Sequence, residues 1–196
     1  MAKHEQDDGS ATERLAPLVL AAVGEIPKAR TRRVHDPDAA AHELAQKAAL
    51  KAALVAGALA LPTGPLGWLT LLPELRSVWR IQVQLVADIA ALYGRKTGLS
   101  EAQVLYCLFR HNGVRALQDL LVRVGDRAAV GAVPARVLQL AARKAAASVV
   151  RRLGGRGVAR WLPVAGAVGL GAYAYWETAR VGATAREMFA AEVVEG

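Results

Sequence analysis

After Pro73, the apolar residues Leu75, Val78, Leu85, Ile89 and Leu92 take one side of a helical wheel, while Ser77, Arg80, Gln84 and Asp88 take the other. That spacing predicts an amphipathic helix with Arg80, Gln84 and Asp88 as its candidate polar face. The helix is expected to end at Tyr93, where Gly94 supplies a left-handed terminal residue. Other helices are marked by their ends. Asp36-Pro37 pairs an N-cap with proline at the first helical position and predicts a helix to about Leu61. Leu99 to Val104 carries a capping box (Ser100 with Gln103) inside a hydrophobic staple (Leu99 with Val104), opening a helix to about Val124. Pro134 begins another that Gly154-Gly155 closes, and a last helix is expected from about Val158 to Ala190. Residues 1–9 read as disordered, Ser10 and Glu13 have capping-box spacing, and Pro17 is expected to kink or restart the helix that follows. Alternating runs of Val, Ile and Thr, the mark of strands, are absent. The pattern predicts an all-α protein: a partly helical segment 1–35, one helical domain 36–190 and a tail 191–196.

Two stretches break the amphipathic pattern. Ala52 to Pro73 is a run of 22 uncharged residues between Lys51 and Glu74. A bilayer-spanning helix needs about 20 apolar residues, so the length suffices, but Gly57, Pro62, Gly64, Pro65 and Gly67 interrupt it. A helical hairpin turning at Leu61–Gly67 fits better than one straight span, and it would dip into the bilayer or sit in a protein core. Lys47 and Lys51 before it and Arg76 and Arg80 after it place both ends on one side. The second stretch, Trp161 to Trp176, has 16 uncharged residues with Trp161, Tyr173, Tyr175 and Trp176 near its ends. That length and those aromatics suit an interfacial or re-entrant element. Gly166, Gly169 and Gly171 would allow a neighbouring helix to approach closely. These two segments make the chain membrane-seeking.

Composition sharpens this reading. The hydrophobic fraction of 54% exceeds the roughly 45–50% of ordinary soluble domains, with Ala, Leu and Val supplying the excess. The net charge is +8, yet residues 1–36 are balanced, with six basic and six acidic side chains. From residue 127 to residue 176 there is no acid, and eight basic residues lie there. Arg151, Arg152, Arg156 and Arg160 therefore gather just before the second apolar stretch, where they are candidate contacts to anionic lipid. This placement fits charge flanking a membrane segment better than a nucleic-acid footprint. The acidic N-terminus lacks a secretory pattern, so the cytoplasmic side of the membrane is the expected location.

The order Leu61-Pro62 with nearby glycines, Leu75…Arg80…Asp88-Ile-Ala-x-Leu-Tyr-Gly94, then Leu162-Pro-Val-Ala-Gly-Ala with Gly182 and Ala185, resembles the EcsC family over roughly residues 40–190. The resemblance implies a helical, membrane-associated bacterial protein, accessory to an envelope or transport assembly, and brings no catalytic residues with it.

Candidate chemistry is sparse. Cys107 is the only cysteine, which excludes an internal disulfide. His111 stands four residues beyond it, but Leu105, Tyr106, Leu108 and Phe109 surround the thiol with apolar bulk and predict a buried, unreactive group. His35 and His42, with Asp36, Asp38 and Glu43, do not match a zinc spacing. No glycine loop precedes a Lys-Ser or Lys-Thr pair, so a phosphate cradle is unsupported. No enzyme activity, cofactor or metal is expected. The expected partners are a lipid surface, with a membrane protein or a second copy beside it; a soluble helical module whose basic helix binds anionic partners such as nucleic acid is the alternative.

Overall fold

The computed structural model describes residues 2–59, 67–95, 99–112, 135–154 and 163–194. Among them all regular structure is helical: α1 (Ala2–Gly24), α2 (Pro37–Leu59), α3 (Gly67–Leu92), α4 (Glu101–Phe109) with a 3₁₀ turn (Arg110–Asn112), α5 (Ala135–Gly154) and α6 (Pro163–Val194). The all-α prediction holds, and several ends fall where the sequence puts them. Ser100 accepts the Gln103 backbone N–H at 3.2 Å, and the Gln103 side chain accepts the Ser100 N–H at 3.0 Å, so the capping box forms as expected. Gly94 closes α3 at φ 93°, with its N–H donating to the Ala91 carbonyl and the Arg95 N–H to the Ala90 carbonyl. These two bonds make a Schellman cap.

Two helices run differently from the sequence reading. Helix α1 already begins at Ala2 and runs through Pro17, whose ring is exposed. Proline removes one intrahelical bond, but Leu15, Ala16, Val19 and Val23 form one buried face across it, and that packing carries the helix past the break. Helix α3 resumes at Gly67 as expected but continues through Pro73, which the sequence reading takes as a second start. From Pro163 the second apolar stretch forms the first part of the long last helix, α6, as the sequence reading has it.

The chain divides into two compact units. In the first, Met1–Glu25 with Ser100–Val158, α1 packs along α5 and α4 packs against both. Its core joins Leu15, Val19 and Val23 to Val104, Leu105, Leu108 and Phe109, with alanines from α5.

The second unit, Ile26–Leu99 with Ala159–Gly196, is built on α2, α3 and α6. Helices α2 and α3 are antiparallel: Asp38 meets Tyr93 at one end, and Ala52 and Ala56 pack with Val78 and Ile81 towards the other. The chain therefore reverses between them, as a hairpin requires, although Leu61–Leu66 at the turn lies outside the described residues. Helices α2 and α6 are also antiparallel and meet along small side chains. Ala41, Ala45, Ala49, Ala52 and Ala56 are buried on α2, facing Ala167, Ala174, Val181 and Ala185 from α6. The approach is close at two glycines. A Cβ on Gly171 would lie 3.0 Å from the Ala53 carbonyl oxygen, and one on Gly182 would lie 2.5 Å from the Ala45 Cβ. Glycine is required there by space alone. No helix among the described residues is long and apolar enough to cross a membrane.

Candidate functional site

The sequence places Arg80, Gln84 and Asp88 on one polar face, and the structure divides them. Asp88 is buried, because the stretch 26–36 lies across it as a strap. Its carboxylate accepts the Arg30 backbone N–H at 2.6 Å and the Gln84 Nε2–H at 3.0 Å, while its carbonyl accepts the Thr31 hydroxyl at 2.6 Å. Gln84 also donates to the Lys28 carbonyl at 3.1 Å. Gln84 and Asp88 thus act together as a clamp on a segment without regular structure, satisfying backbone groups that have no ladder to join. Arg80, by contrast, is exposed. The face is a docking point for the protein's own chain.

A second polar cluster joins the end of α3 to the start of α2 and the far end of α6. The Tyr93 hydroxyl donates to Asp38 Oδ1 at 3.0 Å, and Arg186 Nε pairs with the same oxygen at 2.9 Å. Arg186 Nη1 lies 3.4 Å from His42 Nδ1, whose Nε2 is 2.9 Å from Gln46. Burial pushes the Tyr93 phenol up to about 12, helped by its hydrogen bond to the Asp38 carboxylate and opposed by Arg186. A phenol held so firmly protonated is a poor base at neutral pH, and the cluster pins three helices together. His42 accordingly belongs to a helix-pinning network. Among the described residues no group of three or more His, Cys, Asp or Glu side chains could hold a metal ion.

In the first unit, Cys107 is fully buried between Leu105, Leu108 and Phe109, where a thiol has no access to an electrophile. Arg110 stacks its guanidinium over the Tyr106 ring at 5.4 Å. Arg151 and Arg152 fall in the last turn of α5, with side chains outside the described set, and Arg156 and Arg160 lie outside the described residues altogether.

Sequence reasoning named Tyr175 and Trp176 but passed over the exposed apolar side chains of α2 and α6 that accompany them. Leu50 and Leu54 of α2 are 56% and 66% exposed, and Val168, Tyr175 and Trp176 of α6 are 67%, 41% and 44% exposed. The Arg180 guanidinium lies over the Trp176 ring at 5.3 Å. Of the three glycines expected to admit a neighbouring helix, Gly171 does so, Gly169 faces open space, and the surroundings of Gly166 lie outside the described set. Single exposed apolar side chains are ordinary, but these five lie on two adjoining helices.

Comparison with protein-family models, with curated proteins and with solved structures finds no match.

Proposed function

We propose that this chain is a non-enzymatic helical protein that associates with a membrane surface, on the cytoplasmic side of a bacterial membrane. The observation that carries this reading is the exposed set Leu50, Leu54, Val168, Tyr175 and Trp176 in a chain of net charge +8. Apolar side chains beside an excess of cations are what a protein resting on an anionic bilayer needs. With no spanning helix among the described residues, attachment through a face of the folded protein accounts for both the apolar excess and its arrangement. The EcsC-like residues support the same location and extend the proposal to an accessory role in an envelope or transport assembly.

Fractionation of cells tests the reading. The native protein is expected to sediment with membranes, and the purified chain to float with lipid vesicles. Full recovery in the soluble fraction as a monomer, without flotation, would reject it in favour of a soluble helical module.

A further inference from the structure

Resting on the membrane reading above, we infer that the contact surface is the outer side of the α2–α6 pair, seated shallowly in an anionic phospholipid surface with both helices in its plane. The geometry begins at the seam. Gly57 lies against Ala167 and Ala53 against Gly171, which fixes the antiparallel register of the two helices. Leu50 and Leu54 each follow a seam-side residue, Ala49 and Ala53, by one position, and Val168 and Tyr175 follow Ala167 and Ala174 in the same way. One position turns about 100° around a helix axis. In antiparallel helices equal turns past the seam reach the same side of the pair. The register also brings Leu50 level with Tyr175 and Leu54 level with the turn between Val168 and Gly171. The four side chains therefore form one ridge, on the side that α3 leaves uncovered.

Two further observations select the occupant. Tyr175 and Trp176 give the ridge an aromatic margin with polar tips, the side-chain type that settles at the depth of lipid headgroups. The charges beside it are the cations Lys51, exposed on α2, and Arg180, which caps the Trp176 ring, and two acids that are already engaged: Glu43 pairs with Lys47 at 2.6 Å and Glu177 accepts the Tyr173 hydroxyl at 3.1 Å. Between Leu44 and Pro73 the sequence contains no acid. A second copy docked on this ridge would set Lys51 and Arg180 against their counterparts, with Glu43 already held by Lys47 and Glu177 by the Tyr173 hydroxyl, whereas lipid phosphates complement the cations directly. Long basic side chains can also lay their stems on the apolar ridge while their charged ends reach phosphate.

The test uses the full chain and vesicles of phosphatidylcholine with phosphatidylglycerol. Leu54→Gln combined with Val168→Gln changes no charge and alters two side chains that are mostly exposed, so the fold should survive, as helical circular dichroism will verify. Binding is expected to weaken by at least about tenfold, since two large apolar side chains lose their burial. Val34→Gln, which alters an exposed valine outside the ridge, should bind like the parent. A folded double variant that binds as tightly as the parent overturns the assigned face while leaving membrane association standing. A parent that binds no vesicle, and sediments as a dimer that the double variant dissolves, overturns both and assigns the ridge to a second copy.

Discussion

Tyr93 shows how one side chain can tie packing to titration. Its ring is buried at the end of α3, and its hydroxyl donates to the Asp38 carboxylate that Arg186 also holds. Ionising the phenol would place two anions about 3 Å apart in a partly dry site, which the structure resists by keeping the proton to about pH 12. The sign of the linkage follows. The folded value lies above the unfolded one, so the contribution is complete below about pH 10 and is lost as pH rises towards 12. Stability should therefore be insensitive to this group at neutral pH and fall in that alkaline window. Phenolate absorbance of the folded protein should show a late-titrating step, and Tyr93→Phe should remove it. Late titration that persists in the Tyr93→Phe variant would show that another tyrosine is responsible.

The contact between α2 and α6 sets how far the second unit can tolerate change. The Ala45 Cβ cannot swing away from a Cβ placed 2.5 Å from it, so Gly182→Ala forces the two helices apart and should cost about 1–3 kcal/mol in chemical denaturation. Adding Ala45→Gly restores the space and should recover most of the loss, less about 1 kcal/mol for a glycine inside a helix. Equal stability of Gly182→Ala and the parent would mean that the helices are not in this register. The same seam explains what the sequence hid. Helix α3 was legible because large apolar residues alternate with Arg80, Gln84 and Asp88, and α4 because Ser100 and Gln103 advertise a cap. The α2 and α6 seams are alanine and glycine, which sit on a helical wheel without contrast, so neither their pairing nor the outward side of Leu50 and Val168 could be read from hydropathy. The strap escaped for a different reason. Its hold on α3 runs through backbone groups, the Arg30 N–H donating to Asp88 and the Lys28 carbonyl accepting from Gln84, which side-chain patterns do not record, and this is why a residue placed on a polar face is buried.

At the scale of the whole chain, the arginine tract and the apolar ridge fall in different stretches of the sequence. The ridge lies in the second unit on α2 and α6, whereas Arg151, Arg152 and Arg156 belong to the first unit and Arg160 to the sequence that opens the last segment of the second. Two independent contributions to membrane binding follow, one apolar and one electrostatic, and they respond differently to lipid charge and to salt. Basic residues near an anionic surface contribute about 1 kcal/mol each, while salt shortens their reach from about 10 Å at 0.1 M to about 3 Å at 1 M. Changing Arg151, Arg152, Arg156 and Arg160 together to glutamine should therefore weaken binding to acidic vesicles at low salt by at least about tenfold, on the same per-residue contribution. On neutral phosphatidylcholine the variant and the parent should bind alike, and in high salt the difference on acidic vesicles should shrink. The Leu54→Gln, Val168→Gln variant should behave in the opposite way, losing affinity for both compositions and keeping that loss in high salt, because burial of apolar area is not screened. Equal binding of the arginine variant and the parent to acidic vesicles at low salt would exclude the arginine tract from the contact and leave the cations beside the ridge, Lys51 and Arg180, to supply the charge.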